Sequence, residues 1–214
     1  MERESMEVKI MVRERRWIVG LVVLTLSLGL LAGSAEAQDV GVAGETPVLL
    51  TSCGQSPGPT FVKLFLGRLG VDHTLMEMAT AQDLQDAQSA GKPYKSLIIV
   101  TGASLKGMGA AGVSMREELI RTEALIAEAK REGMTIIGAH VEGMDRRAQG
   151  AAAGDNSDEQ SIDAVMPFSD VMVVRQDGNE DRRFTILSES KGIPLVLFEK
   201  NMEMGDAFAK VLKK

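Results

Sequence analysis

The chain has 214 residues, with 24 basic and 30 acidic side chains and a net charge of −6, and it contains no run of basic residues after position 37. That charge pattern argues against binding to a nucleic-acid backbone, which depends on clustered Lys and Arg. One Trp, one Tyr and six Phe are too few for stacking platforms on bases or sugars, and a single cysteine excludes an intramolecular disulfide.

The N-terminal residues have the features of an export signal. Arginines at positions 13, 15 and 16 precede an apolar run over 17–32, and Ala35-Glu36-Ala37 has the small-x-small pattern of a cleavage site. We expect cleavage between Ala37 and Gln38, a periplasmic or secreted product, and no stable membrane insertion afterwards. An uncleaved anchor is the alternative, although the run is short of the about 20 apolar residues that span a bilayer.

Beyond the signal peptide (1–37) and a flexible leader (38–45), the sequence predicts a single domain over 46–214. Short apolar runs alternate there with helical patterns, which is typical of βαβ units and a parallel sheet. The predicted strands cover 47–52, 72–78, 96–101, 134–140, 171–174 and 194–198. Helices are predicted over 60–69, from 80, from the Ser114/Glu117 capping box to Gly133, over 157–165 from a Ser157/Gln160 capping box, over 180–191 and from 205.

This pattern predicts an α/β fold with a doubly wound, mostly parallel sheet of about six strands, a flavodoxin-like or Rossmann-like three-layer sandwich. The preferred strand order is 2-1-3-4-5 with the sixth strand at the edge. Ligands of such sheets bind beyond the carboxyl ends of the strands, near the point where the strand order reverses. The loops after the first and third strands are therefore the first places to look for a site.

The first candidate loop, 51–56, offers hydroxyls, an amide and backbone N–H groups before a helix, as a polar or anionic ligand requires. Its predicted ligand-binding residues are Ser52, Cys53, Gly54, Gln55 and Ser56. The alternative is a connection whose side chains satisfy their own backbone. Cys53 with Ser56 also forms a C-x-x-S pattern, in which a helix dipole would stabilise a redox-active thiolate. A phosphatase loop is excluded, because Pro59 occupies the position of the required Arg.

The second candidate loop is glycine-rich and covers 101–112. Its predicted ligand-binding residues are Gly102, Ser104, Lys106, Gly107 and Gly109. Gly107, Gly109 and Gly112 form a literal G-x-G-x-x-G, but a dinucleotide fingerprint follows the first strand directly, whereas this one follows the third strand at a distance. A small anionic or polar ligand is favoured over a dinucleotide, and no cofactor is predicted.

The third candidate segment leaves the fourth strand at His140. His140 and Glu142 are candidates for acid/base chemistry, and Arg146 or Arg147 could clamp a carboxylate. His140 is included among the predicted ligand-binding residues, although a lone histidine at a strand end is more often structural. No pattern has zinc spacing, so no metal site is predicted.

Three motifs in these segments carry a resemblance to a known family. They are T-S-x-G-Q-S (51–56), K-G-x-G-A-A-G (106–112) and D-G-N (177–179), the last after a valine-rich strand. Over roughly 46–213 the chain resembles an uncharacterised family of exported bacterial single-domain α/β proteins, a domain of unknown function. The resemblance implies a fold and export but no activity. In that family Ala is common at the position of Cys53, which implies that Cys53 is a local variant.

The main functional hypothesis is an exported small-ligand-binding domain, accessory to a transport system, whose ligand is small and polar or anionic. Solute receptors usually enclose their ligand between two lobes, and this chain has one lobe. A partner subunit or a homodimer is therefore expected to complete the pocket. The alternative is a thiol- or serine-dependent enzyme, a hydrolase or a redox protein, that uses Cys53 or Ser56 with His140. A purely structural interaction domain is the third possibility.

Overall fold

The computed structural model describes residues 40, 41, 43–147 and 156–213. Six strands form one parallel sheet: β1 (Val48–Cys53), β2 (His73–Leu75), β3 (Ser96–Thr101), β4 (Thr135–His140), β5 (Val171–Arg175) and β6 (Leu195–Phe198). The α-helices are α1 (Gly58–Leu69), α2 (Ala81–Ser89), α3 (Leu105–Ala111), α4 (Met115–Arg131), α5 (Ser157–Val165), α6 (Arg183–Lys191) and α7 (Met204–Ala209). Short 3₁₀ helices occupy Gly143–Arg146, Met166–Phe168, Gln176–Asn179 and Asn201–Glu203.

The predicted α/β class and strand order are confirmed. The sheet order is β2-β1-β3-β4-β5-β6, and Val48 of β1 is in register with His73 on one side and Ser96 on the other. The order therefore reverses between β1 and β3, whose carboxyl ends, at Cys53 and Thr101, are paired. This switch point is where the first two candidate loops begin.

Both faces of the sheet are covered, which explains why its central strands are apolar throughout. All six residues of β1 and all six of β3 are buried. One face packs against α1 and α7 through side chains such as Phe65 and Phe208, and the other against α2 and α4 through Leu84 and Leu125. Phe184 of α6 anchors a third cluster beside β5. No helix among the described residues is long and apolar enough to cross a membrane.

Several boundaries differ from the sequence-based expectation. The glycine-rich loop contains α3, because the Ser104 hydroxyl caps the amide of Gly107 at 3.0 Å and Gly112 ends the helix at φ 70°. The residue that caps α5 is Asn156, not Ser157. β2 has only three residues, and α6 begins at Arg183, after a 3₁₀ turn over Gln176–Asn179.

The predicted signal peptide and its cleavage point lie outside the described residues. Within the predicted leader, Gly44 forms a parallel bridge with Leu212, and its amide donates to the carbonyl of Val211 at 2.8 Å. The end of the leader therefore pairs with the C-terminal segment of the chain.

Candidate functional site

The loops that follow β1 and β3 interlock at the carboxyl edge of the sheet. Gln55 forms a bridge with Ala103, and a β-carbon added at Gly54 would lie 2.7 Å from the carbonyl oxygen of Gly102. A β-carbon added at Gly107 would lie 2.1 Å from the carbonyl oxygen of Gln55. Gly54 and Gly107 therefore allow close packing between the two loops rather than the approach of a phosphate.

The backbone donors that were expected to bind an anion already have acceptors within the chain. The donor–acceptor pairs are Gly54 N–Glu118 Oε2 at 2.9 Å, Gln55 N–Ser52 Oγ at 2.9 Å, Gly102 N–Ser161 Oγ at 3.0 Å, Ala103 N–Asp158 Oδ1 at 2.7 Å and Gly107 N–Ser104 Oγ at 3.0 Å. Since proline lacks an N–H group, Pro57 and Pro59 further deplete donors at the start of α1. An anion at any of these five amides would have to displace an acceptor that the protein supplies.

Glu118 and Arg121 of α4 form hydrogen bonds with the end of β1 and with the loop that follows it. Glu118 is fully buried, and it accepts from Arg121, Gly54 and Gln55. Burial alone would raise the pKa of Glu118, but these hydrogen bonds outweigh it and lower the pKa. Arg121 also donates to the carbonyl of Ser52 at 2.6 Å. The sequence analysis missed this pair, although Glu118 shares helical spacing with the buried Leu125, an unusual place for an acid without a partner.

Ser56, Glu142 and Arg146 converge in front of α1. The Ser56 Oγ and the Glu142 Oε2 accept from the same amide, that of Gly58, at 3.3 and 3.2 Å. The other carboxylate oxygen of Glu142 accepts from Arg146 Nε at 3.2 Å. A β-carbon added at Gly102 would lie 3.2 Å from Ser56 Oγ and 3.1 Å from Arg146 Cγ. The Ser56 hydroxyl, the Glu142 carboxylate and the Arg146 guanidinium therefore lie near one another at the carboxyl edge of the sheet.

A second carboxyl group, that of Asp158, interacts electrostatically with Arg146 and Glu142. Asp158 lies in the first turn of α5 and accepts from the amide of Ala103. Burial raises its pKa, and the hydrogen bond from Ala103 and the charge of Arg146 offset this only in part. Arg146 also donates to the carbonyl of Ala103 at 2.9 Å. The site thus pairs Glu142 with a carboxyl group that binds its proton more tightly than an exposed aspartate does.

Cys53 and His140 do not join this group. Cys53 is fully buried, and burial raises the pKa of its thiol to about 11, so the thiolate of the redox hypothesis does not form. His140 is also fully buried, and its ring nitrogens lie 3.1 Å from Thr101 Oγ1 and 3.0 Å from the carbonyl oxygen of Gly143. Burial lowers the pKa of His140 to about 4. Its role here is structural, as a neutral ring.

The remaining predicted residues are spread over α3. Ser104 caps this helix, Gly107 packs on Gln55, and Lys106 and Gly109 are exposed. Among the described residues, no group of three or more His, Cys, Asp or Glu side chains could hold a metal ion. The candidate centre therefore consists of Ser56, Glu142, Arg146 and Asp158.

The residues of the D-G-N motif (177–179) pack the turn after β5 tightly against the turn after β4. A β-carbon added at Gly178 would lie 2.9 Å from the His140 ring. The Asn179 side chain accepts from the amide of Phe184 at 2.9 Å. The buried guanidinium of Arg147 binds Glu159, Asp181 and the Gly178 carbonyl, so it is not available to clamp a ligand.

Several solved structures share similarity with the chain. They include the psychrotrophic esterase EstA from Pseudoalteromonas sp. (10% identity, 77% of this chain and 94% of that chain, TM-score 0.33), a GDSL-like lipase from Bacteroides thetaiotaomicron (13%, 76% and 82%, 0.32) and TesA (11%, 77% and 95%, 0.31). Likeness at this level carries no argument about the activity of this chain. A comparison with curated proteins finds no match.

The main functional hypothesis, a small-ligand-binding domain, is wrong. The backbone donors on which an anionic ligand depended are occupied by Glu118, Ser161 and Asp158. The predicted membership of a family of unknown function, by contrast, is confirmed. A family model described as a domain of unknown function, DUF6305, matches residues 45–212, and the chain belongs to that family.

Proposed function

We propose that the chain is a serine-dependent hydrolase of carboxylic esters, with Ser56 as its nucleophile. The observation that carries the proposal is the convergence of Ser56 Oγ and Glu142 Oε2 on one amide, that of Gly58. Among the described residues the Ser56 hydroxyl proton has no hydrogen-bond acceptor, so it is available for transfer. The hydroxyl also precedes a helix at the strand-order switch, a common place for chemistry in such sheets.

Four side chains would have distinct roles. The Ser56 oxygen attacks the ester carbonyl carbon, its proton passes to the Glu142 carboxylate, and the guanidinium of Arg146 stabilises the oxyanion. Asp158, whose pKa is raised by burial, donates a proton to the departing alkoxide. Water then attacks the acyl group and gives a proton to Asp158, while Glu142 returns its proton to Ser56. The sum is ester plus water to acid plus alcohol.

This assignment replaces His140 as the general base. Both ring nitrogens of His140 are already hydrogen-bonded in a fully buried site. The Glu142 carboxylate, by contrast, accepts from the same Gly58 amide as the Ser56 hydroxyl oxygen. A carboxylate base requires no histidine, and the position of Arg146 on Glu142 holds that carboxylate in place.

The test uses a fluorophosphonate probe, which phosphonylates activated serines, together with p-nitrophenyl acetate as a substrate. We expect a single adduct on Ser56 by peptide mapping and measurable ester hydrolysis. Ser56→Ala abolishes both. Glu142→Gln lowers the hydrolysis rate by about 10²- to 10⁴-fold, the usual contribution of a general base.

Two variants serve as controls. Ser190→Ala removes an exposed hydroxyl on α6 and leaves labelling and hydrolysis unchanged. His140→Gln retains hydrolysis if Glu142 is the base. The proposal fails if folded wild-type protein shows neither adduct nor hydrolysis, or if Ser56→Ala keeps the wild-type rate. The role of Glu142 fails if His140→Gln abolishes activity while Glu142→Gln does not.

A further inference from the structure

An apolar groove runs between α4 and α5, on the face of the sheet opposite to α1. Its volume is about 580 Å³, and its lining residues are Leu119, Glu123, Ile126, Ala127, Lys130, Gln160, Asp163, Ala164 and Phe168. Phe168, one of these lining side chains, is 49% exposed, and Ile120, which belongs to α4 but not to the lining, is 58% exposed. Exposed apolar side chains around a groove are typical of a protein interface.

The charges along α4 are arranged so that two antiparallel copies of this helix would have opposite charges facing each other. Glu123 and Lys130 project on the groove side, two helical turns apart, with the small Ala127 between them. Within the described part of the chain, neither Glu123 nor Lys130 forms an ion pair, and Lys130 lies 5.3 Å from the ring centroid of Phe168. An antiparallel second copy of α4 would place Lys130 opposite Glu123 twice.

We propose that this groove is a homodimer interface, in which α4 of a second copy of the chain lies antiparallel in the groove between α4 and α5. A two-fold axis beside Ala127 makes the interface isologous, so each Glu123–Lys130 contact occurs twice. The small side chain of Ala127 at the axis allows the two helix backbones to approach closely. None of the four side chains of the candidate centre lines this groove, although Asp158 of that centre lies in the first turn of α5.

The same arrangement explains the exposed apolar side chains. Ile120 lies seven residues before Ala127, about 10 Å along the helix at 1.5 Å per residue. Across the two-fold axis this places Ile120 of each copy near the far end of the groove, where Phe168 packs beside Lys130. Burying Ile120 against Phe168 supplies the apolar core of the interface, and the Glu123–Lys130 pairs define its register.

Sedimentation equilibrium of the protein, purified in the form the cell produces, measures the mass directly. We expect a dimer whose dissociation constant rises with salt, because exposed ion pairs are screened. Lys130→Glu sets two pairs of like charges against each other and raises the dissociation constant by about tenfold or more. The double variant Glu123→Lys/Lys130→Glu restores opposite charges and recovers the wild-type constant.

Ile120→Asp weakens the dimer, whereas Ile186→Asp, a matched change at an equally exposed isoleucine of α6 (57%), leaves it unchanged. Circular dichroism verifies that each variant is folded. A monomer at every concentration reached overturns the proposal, and so does a dimer that tolerates Ile120→Asp. If Lys130→Glu weakens the dimer but the double variant does not recover it, the antiparallel α4 register is wrong.

Discussion

At the scale of single residues, burial decides which polar groups at the carboxyl edge can react. Ser52, Cys53 and His140 are all at most 1% exposed, and their polar atoms serve the fold. Glu142 and Ser56 are 8% and 7% exposed, while Arg146 is partly open to solvent. Two serines of the same loop, Ser52 and Ser56, thus have different roles, because the rest of the chain covers Ser52 almost completely and leaves Ser56 slightly exposed.

The burial of the Cys53 thiol predicts that it is unreactive in the native protein. Because burial raises its pKa to about 11, we expect no reaction with a disulfide reagent such as dithiobis(nitrobenzoate) in the native protein at neutral pH, and full reaction after denaturation. Spectrophotometric thiol titration with and without guanidinium measures this. Rapid labelling of the native protein would contradict the buried placement and revive the thiol-dependent route.

His140 makes the stability depend on pH. Its folded pKa of about 4 lies below the ordinary value of 6.5, so the unfolded chain binds the proton more readily than the native one. Stability is therefore lost as pH falls below 6.5, and the loss, about 3 kcal/mol at most, is complete below pH 4.

Urea unfolding at a series of pH values tests this linkage. His140→Gln keeps an amide that can donate to the Gly143 carbonyl but has no proton to gain, so we expect its unfolding free energy to depend less on pH over the same range. Parallel curves for wild type and variant would show that other groups control the acid sensitivity.

At the scale of elements, α3 contains one glycine that has no space for a side chain and another that has ample space. A β-carbon at Gly107 collides with the Gln55 carbonyl, whereas nothing lies within 4 Å of one at Gly109. We expect Gly107→Ala to destabilise the protein by about 2 kcal/mol or more, because the interlocked loops must move apart. Gly109→Ala stabilises it by about 0.5–1 kcal/mol, since alanine favours a helix.

Thermal or chemical unfolding of the two variants compares them directly, with each serving as the other's control. Equal effects would mean that the loops after β1 and β3 do not interlock as described. A loss of stability only in Gly107→Ala would establish that Gly107 serves the packing of the two loops in this chain.

At the scale of the whole molecule, the N-terminal sequence predicts that the cell releases a shorter chain. The arginines before the apolar run and the Ala35-Glu36-Ala37 pattern support export with cleavage between Ala37 and Gln38. We expect the intact mass of protein recovered from the periplasm or medium to match a chain that begins at Gln38. A membrane-bound chain of full mass would instead support the uncleaved anchor.

The sequence by itself determined the architecture. Apolar runs such as 96–101 and 134–140, separated by amphipathic helices, leave a parallel sheet covered on both faces as the consistent arrangement, and the predicted strand order is the observed one. The sequence also predicted membership of a family of unknown function, which the family model over residues 45–212 confirms. Local pattern suffices for such features because hydrophobic periodicity and caps act over a few residues.

Only the tertiary structure decided what the loops do. The glycines and hydroxyls of 51–56 and 101–112 suggested an anion site, but Glu118, Asp158 and Ser161, all distant in sequence, occupy the backbone donors. The convergence of Ser56 with Glu142 depends likewise on an amide 84 residues from that carboxylate. Whether a polar group is satisfied or available depends on long-range neighbours in three dimensions, which no local pattern in the chain specifies.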